Sequence, residues 1–453
     1  MSNTRRDVLK AAVGAASLAA LPGVAGAQAN REWRNWSGSQ VSQPRSLQFP
    51  RSESDLVRAL RSATGTVRVT GAGHSFSALC TTDDTLFSLD NMSGLVDHDA
   101  EALTATVWAG TRLRDLGEPL WNVGQALINQ GDVDPQSVGG ACGTSTHGTG
   151  LGLGSFSSVM QGIRLVTPRG EIVEANPVYD SDIYQAARTS LGALGIASQI
   201  RLQNRKAYSL HQREYVEPLE SVLKNFDASI KKHRHYEFWA FFESDAALVK
   251  SLDETDAPPS KPPLLDLPVD PLLWLAAELA HAFPSIDGNV QRTITTLFPA
   301  SERIDRSYKI FPSPRKVRFN EMEYEVPMAQ GPDCLREILE TVRQKNLNTL
   351  FPVEYRVVAA DDAWLSPFYG RDSASISIHQ YHEIDYQPLF SLVEPIFWKY
   401  GGRPHWGKLH TLKAKQLETL YPRWDDWQRV RRRLDPDGRM LNAHLRAVLE
   451  PAS

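Results

Sequence analysis

The heptapeptide Gly71-Ala72-Gly73-His74-Ser75-Phe76-Ser77 places a histidine inside a glycine-rich loop. A β-branched run at 66–70 precedes it, so the glycines stand where a predicted strand ends. Glycine lets the backbone approach a ligand closely, and successive loop N–H groups can hold a phosphate. The loop therefore predicts a bound cofactor, held close to His74 or covalently by it. An ordinary strand and turn with an exposed histidine is the alternative interpretation.

This loop is not the glycine fingerprint of dinucleotide-binding folds. That fingerprint needs a third glycine and a helix that begins in the loop. Here the residues 75–79 follow, and then a second strand-like segment at 86–89. A nucleotide bound at this loop must be held in another way.

A second glycine-rich tract runs from Gly131 to Gly154 and contains Thr-His-Gly-Thr-Gly at 146–150. So many glycines and hydroxyls are typical either of a flexible linker or of a backbone packed closely on a ligand. The tract begins with the ordered-looking segment 132–137, and predicted strands follow it directly. This pattern favours close packing against a flat, phosphate-bearing ligand. A third glycine-bearing stretch stands at 191–197.

Glu354 and Arg356 stand two residues apart in a predicted strand, so their side chains point to the same face. A carboxylate accepts hydrogen bonds from hydroxyls and a guanidinium donates them to oxygen, so the pair can hold a polyhydroxylated substrate. A solvated strand face explains the same spacing. His405 and His410 are five residues apart with no third ligand nearby in the sequence, so we predict no metal site.

The elements that position these groups divide the chain near residue 216. Before it, Ser52 and Asp55 have the spacing of a capping box, which predicts a helix that turns Leu56, Leu60 and Ala63 to one face. Strands are predicted at 67–70, 86–89, 103–108, 163–166 and 172–174, and a helix at 111–123. After it, helices are predicted at 219–232 and 335–345, and half-buried strands at 235–242, 317–326, 353–358 and 375–381. The proline-rich segment 258–271 predicts a loop or insertion.

The N-terminus predicts an exported protein. Arg5-Arg6 precede a weakly apolar run at 11–21 and two small-x-small cleavage sequences at 25–29, a twin-arginine pattern. An uncleaved anchor is the alternative, but the run is too short and too rich in Gly and Pro to span a bilayer.

The net charge of −4 gives no general footprint for nucleic acid. Cys80, Cys142 and Cys334 indicate neither a disulfide framework nor a zinc site.

Taken in order, these motifs resemble the vanillyl-alcohol-oxidase-type FAD proteins, and among them the sugar-1,4-lactone oxidases and their relative alditol oxidase. The residues that carry the resemblance are Gly71-Ala72-Gly73-His74-Ser75, Thr146-His147-Gly148-Thr149-Gly150, Glu354-Tyr355-Arg356 and His405-Trp406-Gly407-Lys408. The C-terminal stretch 434–442 fits as well. The likeness extends from about residue 40 to 450.

The resemblance implies an α+β fold with a two-subdomain FAD-binding domain at 39–206 and an α+β substrate or cap domain at 207–400. A twin-arginine signal peptide at 1–29 would precede them. A C-terminal segment at 401–453 would complete the active site and pack on the FAD domain. The cofactor would be FAD, bonded through His74. The other cofactor-binding residues would be Gly71, Ala72, Gly73, Ser75, Ser77, Ser137, Gly140, Gly143, Thr146, His147, Gly148 and Ile196.

The resemblance also implies a reaction. A sugar hydroxyl would be oxidised by hydride transfer to flavin N5, with Glu354, Arg356, Lys408 and His379 as the catalytic and substrate-binding residues. His379 is otherwise explained as a packed histidine. The substrate would be an aldono-1,4-lactone or, as the alternative, an open-chain alditol. A sugar- or flavin-binding protein without turnover is disfavoured, because the acid, both cations and the histidine are all present. The electron acceptor would be O₂ or a respiratory carrier, with no nucleic-acid partner and no stable membrane insertion. The twin-arginine pattern at the N-terminus, rather than the resemblance, implies that the protein is periplasmic or secreted.

Overall fold

The structure is a computed structural model that describes residues 32–261, 287–313, 317–345, 347 and 349–451. The predicted signal peptide at 1–29 lies outside these residues, as does the part of the proline-rich segment beyond 261. Its first four residues, 258–261, belong to neither helix nor strand, as predicted. Within the described residues, no helix combines the length and apolar character needed to cross a membrane. Cys80, Cys142 and Cys334 are free thiols.

The capping-box prediction at Ser52 is confirmed, with one difference. Helix α1 (Glu53–Ser62) begins there, and the Ser52 hydroxyl accepts a hydrogen bond from Asp55 N at 3.1 Å. The Asp55 carboxylate accepts from Arg51 N at 3.3 Å, one residue before the cap. Leu56 and Leu60 are fully buried, as the period of the helix predicts.

Three sheets form the described part of the chain from residue 32 to residue 206. Their strands are β1 (Trp33–Arg34), β2 (Val41–Ser42), β3 (Ser46–Gln48), β4 (Val67–Thr70), β5 (Thr85–Ser88), β6 (Leu95–Asp99), β7 (Thr104–Trp108), β8 (Gln125–Leu127), β9 (Met160–Val166), β10 (Ile172–Ala175) and β11 (Ile196–Lys206). Strands β1 and β2 pair, β3-β5-β4 form a parallel sheet, and β10-β9-β11-β7-β6 form a larger sheet in which β8 also pairs with β11. The helices α2 (Leu113–Asn122), α3 (Val138–Gly143) and α4 (Ser181–Ala187) complete this part. Every strand and helix predicted for it is confirmed within a few residues.

An eight-stranded antiparallel sheet forms the second part. Its order is β15-β12-β14-β13-β17-β18-β16-β19. The strands are β12 (Ser209–Pro218), β13 (His235–Ala240), β14 (Ala246–Thr255), β15 (Ser301–Arg306), β16 (Phe319–Pro327), β17 (Val353–Val358), β18 (Ser373–Tyr381) and β19 (Arg403–Pro404). The helices are α5 (Leu219–Lys224), α6 (Phe226–Lys232), α7 (Asp287–Leu297), α8 (Ser307–Ile310), α9 (Gly331–Arg343), α10 (Gln387–Lys399), α11 (Ala414–Leu417), α12 (Trp424–Leu434) and α13 (Ala443–Leu449), with a 3₁₀ turn at Met328–Gln330.

One face of this sheet is apolar and packs on helices. Phe226 of α6 lies edge-on to Phe238 and Tyr355, and Phe397 of α10 stacks on Tyr324 at 4.8 Å. The prediction of one long helix at 219–232 is wrong, because the chain breaks at Asn225 between α5 and α6. The two short helices lie against different strands, α5 against β12 and β14 and α6 against β13.

The prediction of half-buried strands is wrong for all four strands: β17 and β18 are buried throughout, and β13 and β16 are buried except at Trp239 and Pro327. The second face is covered by the glycine-rich tract. Gly150 N donates to Val357 O at 2.9 Å, and the Thr149 hydroxyl donates to Tyr236 O at 2.8 Å. The polar side chains on that face are therefore enclosed between the sheet and the first part of the chain.

The C-terminal segment returns to the first part. Val67 N donates to Arg439 O at 2.8 Å, and the Asn442 amide donates to Ala78 O at 2.8 Å. Of the three consecutive arginines 431–433 on α12, the last two are exposed. Arg431 is buried on α12 and donates to Glu450 at 3.3 Å.

Candidate active site

The loop at 71–77 is fixed against the motif that ends at Lys408. Phe76 N donates to Gly407 O at 2.7 Å, and the Ser77 hydroxyl donates to Trp406 O at 2.9 Å. Trp406 is buried and packs against this loop; its indole N–H donates to Leu365 O at 2.7 Å and its ring stacks on Tyr421. The structure thus brings together two motifs that are more than 300 residues apart in the chain.

His74 lies in this loop as a half-buried, neutral imidazole. Its ring stacks on Trp36 with the centroids 5.3 Å apart. Burial first, and then the charges of Lys408 and Arg112, lower the pKa of His74 to about 4, while Glu321 opposes the shift. At neutral pH a ring nitrogen therefore carries a free lone pair. A histidine that forms a covalent bond to a flavin carbon needs such a lone pair.

A cradle for an anion lies where the loop meets the start of α3. A Cβ at Gly71 would overlap the Ser137 hydroxyl, so any other residue there would displace the Ser137 side chain. The same hydroxyl accepts from Gly140 N at 3.3 Å. Arg112 lies beside Gly71, and its buried Nη1 finds no hydrogen-bond partner among the described atoms. The guanidinium pairs with Asp90 through Nη2, and the remaining buried donor at Nη1 next to a close-packed glycine loop suits a phosphate. The residues present here therefore fit the phosphates of FAD.

The glycine-rich tract is ordered and buried from 141 to 150, which excludes the flexible-linker interpretation. Gly143 ends α3, and its carbonyl accepts from Leu191 N at 3.0 Å. A Cβ at Gly148 would overlap Gln130 O, so the backbone passes closely there too. Thr146 and His147 follow in the buried strip. Ile196 is apart from them, at the start of β11 in the hydrophobic core, paired with Val166.

Glu354 and Arg356 do not lie on a solvated face. Their residues are only 7% and 8% exposed, and Arg356 Nη2 donates to Glu354 Oε1 at 2.6 Å. The prediction that the two side chains share a face is confirmed. Both side chains are buried on the face that the glycine-rich tract covers, so little water reaches them. Electrostatic interactions are stronger there than at a surface.

Lys408 and His379 meet on the same face one strand further along. Lys408 Nζ pairs with Glu321 and lies 3.3 Å from Glu323 Oε2. His379 Nε2 is 3.5 Å from Glu321 Oε1, and its Nδ1 lies 3.1 Å from Pro352 O. His379 is also packed edge-on against Phe319, so it is both a core histidine and a member of the polar group. All four predicted catalytic side chains are therefore on one surface.

Several members of this surface were missed by the sequence interpretation. They are Asp132, Glu237, Lys250, Glu321 and Glu323. One signal was present, because the sequence Asn320-Glu321-Met322-Glu323-Tyr324-Glu325 alternates with period two inside a predicted strand. Three glutamates on one strand face next to an apolar opposite face predict either solvent exposure or cation partners. Glu237, Lys250 and Asp132 carry no such pattern, since strand register pairs Glu237 with Lys250 and the path of the glycine-rich tract brings Asp132 to them.

The charges on this surface are set by burial and by their neighbours. Burial raises the pKa of Glu354; Arg356 opposes this, Glu237 and Asp132 add to it, and the net pKa lies above its usual range. Burial opposes the charged form of Glu321, but Lys408 and His379 outweigh it and lower its pKa to about 2. Burial likewise opposes charge on Lys408, yet Glu321 and Glu323 raise its pKa above the ordinary value. Glu354 is therefore the more basic carboxylate, and Lys408 stays cationic.

His405 and His410 do not form a pair. His410 lies near His444, with ring centroids 6.5 Å apart. His405 lies beside His147, whose Nε2 is 2.7 Å from Glu323 Oε1, so His147, Glu323 and His405 place possible ligand atoms within 4.8 Å of one another. The ammonium of Lys408, which pairs with Glu321, also lies 3.3 Å from Glu323 Oε2 and places a positive charge beside this cluster.

Two family models match the chain. One, described as D-arabinono-1,4-lactone oxidase, matches residues 200–448, and the other, described as FAD binding domain, matches residues 44–176. The chain is 38% identical over 427 residues to an L-gulono-1,4-lactone dehydrogenase of Mycobacterium tuberculosis, which covers 92% of this chain and 99% of that protein. It is 30% identical to an L-gulonolactone oxidase of Scyliorhinus torazame, over 91% of this chain and 97% of that protein.

A solved structure shows the same fold at low identity. The cholesterol oxidase of B. sterolicum superimposes with a TM-score of 0.77 at 14% identity, covering 93% of this chain and 97% of that one. The predicted fold class, an FAD-binding domain of the vanillyl-alcohol-oxidase type with an α+β cap domain, is confirmed.

Proposed function

The chain belongs to the D-arabinono-1,4-lactone oxidase family, and we propose that it oxidises an aldono-1,4-lactone at the hydroxyl next to the carbonyl. It is an FAD-dependent oxidoreductase. The observation that carries the substrate proposal is the enclosed polar surface that holds Glu354, Arg356, His379 and Lys408 opposite the His74 loop. Hydroxyl and carbonyl oxygens of a small sugar match its carboxylates and cations.

Each residue has a defined task in this proposal. The loop at 71–77 and Arg112 would hold FAD, and bound FAD would supply the hydride acceptor, its N5, for the carbon whose hydroxyl is oxidised. Glu354 takes the hydroxyl proton, since its raised pKa makes it a stronger base than an exposed glutamate. Arg356 and Lys408 donate to the substrate oxygens and supply positive charge where negative charge develops.

The function is tested by the absorbance of the purified protein. The protein should be yellow, and anaerobic addition of L-gulono- or D-arabinono-1,4-lactone should bleach the flavin band. Xylitol and sorbitol, added in the same way, test the alditol alternative. Faster bleaching by the alditols than by the lactones would identify an alditol as the substrate. Absence of flavin, or a band that neither class of sugar bleaches, would overturn the proposal.

We extend the proposal to a covalent bond between His74 and FAD. The support is the neutral imidazole in the cofactor loop. Acid precipitation of the wild-type protein should leave flavin fluorescence with the polypeptide, and His74→Ala should release it to the supernatant. His98→Ala is the control, because His98 is exposed on β6 and far in sequence from the loop. Soluble flavin from the wild-type protein would contradict the bond.

The proposed address is the periplasm or the cell exterior, reached by the twin-arginine route. Arg5-Arg6 and the small-residue cleavage sequences support it. Changing both arginines to lysine should leave the precursor in the cytoplasm, whereas unchanged export would contradict the route.

The proposed electron acceptor of the reduced flavin is O₂ or a respiratory carrier; oxygen consumption with and without an artificial acceptor distinguishes the two.

A further inference from the structure

Lys250 is a buried cation that the proposed reaction does not use. It lies on β14 directly opposite Glu237 of β13, and both side chains are on the polar face. Lys250 is 1% exposed, and its Nζ is 3.2 Å from Glu237 Oε1 and 3.6 Å from Asp132 Oδ1. It also donates to Phe311 O at 3.3 Å. Burying a charged pair in this way contributes little net stability, because desolvation offsets the attraction. Another role for Lys250 is therefore indicated.

The pair continues into the proposed catalytic residues. Glu237 Oε2 accepts from Arg356 Nε at 2.9 Å, and Arg356 Nη2 donates to Glu354 Oε1 at 2.6 Å. Arg356 Nη2 is also 3.8 Å from Asp132 Oδ2. Charges of opposite sign thus alternate from Lys250 through Glu237 and Arg356 to Glu354. One side of the guanidinium is fixed to the network, and Nη2 is directed at Glu354.

We propose that Lys250 is a positioning residue, which through Glu237 and Asp132 fixes the guanidinium of Arg356 against Glu354. This rests on the proposed function of Arg356 and Glu354. Lys250 balances two buried carboxylates that would otherwise both compete for Arg356. Without it, Arg356 moves toward Glu237 and Asp132 and away from Glu354. Arg356 then donates more weakly to the substrate oxygen, and the electrostatic potential at Glu354 becomes more negative.

The charged and titratable groups that face Glu354 determine the expected pH dependence. They are Arg356 on its own strand, Glu237 on β13, Asp132 of the glycine-rich tract, His379 on β18, Glu321 on β16 and Lys408 of the C-terminal segment. Removing the positive charge of Lys250 strengthens the effect of Glu237 and Asp132, so the proton on Glu354 is held more tightly. The acid limb of the rate of flavin reduction should move to higher pH.

The test uses the purified FAD-loaded enzyme. Lys250→Met should raise KM for the lactone about tenfold and move the acid limb up by about one pH unit, with kcat changed less. Lys250→Arg should restore both values, because it keeps the charge. Lys399→Met is the control, since Lys399 is an exposed lysine paired with Glu337 on α10 and α9. A Lys250→Met enzyme with wild-type KM and pH profile per bound flavin would overturn the proposal.

A second variant covers the case in which Lys250→Met folds poorly. Lys250→Met with Glu237→Gln removes both charges of the pair, so stability and the acid limb should recover. KM should fall back toward the wild-type value as well, because the neutral amide of Gln competes less than Glu237 with Glu354 for Arg356. If stability recovers while KM stays at the Lys250→Met value, the loss of substrate binding does not come from competition for Arg356 and the proposal fails.

A crystal structure provides a readout that needs no substrate. Lys250→Met should show Arg356 displaced from Glu354 Oε1, and retention of both wild-type bonds of Arg356 would overturn the proposal. Failure of the wild-type enzyme to be reduced by lactone or alditol is a different result, because it rejects the proposed function and leaves this geometric test in place.

Discussion

Replacing Arg356 with methionine is expected to lower kcat/KM for flavin reduction by the lactone about a thousandfold. Arg356 donates to Glu354 and Glu237, and it neutralises these two buried carboxylates together with Asp132. Methionine fills much of the space but supplies neither the charge nor the donors. The substrate loses its guanidinium contact, and the pKa of Glu354 rises further because its main neutralising neighbour is gone.

The measurement is stopped-flow reduction of bound flavin under anaerobic conditions, as a function of lactone concentration and pH. Arg356→Lys is the matched variant, since it keeps the charge but not the planar fork of donors. We expect it to fall between methionine and the wild type, at about tenfold below the wild type. Flavin content should be similar in all three enzymes, because the cradle at Gly71, Ser137 and Arg112 is separate. A methionine variant within about threefold of the wild type would remove Arg356 from the substrate site.

Local patterns were sufficient to predict most elements and part of the site. The period of 113–120 predicts α2, and the two-residue spacing of Glu354 and Arg356 correctly predicts a shared face. Both are properties of one element, which a few side chains determine. The cofactor loop is similar, because a strand that ends in two glycines and a histidine is a local feature.

The partners of the site could not be predicted, because they depend on long-range register. Glu321 lies opposite His379 only in the observed pairing of β16 and β18. A slip of one residue would turn the glutamates to the apolar face. The prediction that the strands are half-buried failed for the same reason, since alternation along a strand does not show what covers its polar face. Here that cover is a glycine-rich tract from another part of the chain.

Arg68 is the second residue for which we expect a large effect, and this effect is on stability. It lies on β4 and is 1% exposed. Its guanidinium donates to Leu79 O at 2.7 Å and to Leu191 O and Gly192 O at 2.8 Å each, and also to Met440 O. Burial lowers the pKa of Arg68 to about 10, with Cys80 and Asp435 opposing, so the cation persists at neutral pH. Arg68 thus connects three segments: the one around Leu79, the stretch at 191–192 before β11, and the C-terminal segment at Met440.

Arg68→Met should lower the free energy of unfolding by about 3–5 kcal/mol, because several buried carbonyls lose their donor at once. Urea denaturation followed by tryptophan fluorescence measures this loss. Arg61→Met is the control, since exposed Arg61 of α1 makes a single bond to Gly170 O at 3.2 Å, and its loss should cost under about 1 kcal/mol. Limited proteolysis should also release the segment after Asp435 sooner in Arg68→Met than in the control. Equal stability of the two variants would mean that β4 and the C-terminal segment are joined without Arg68, through contacts such as Val67 N to Arg439 O.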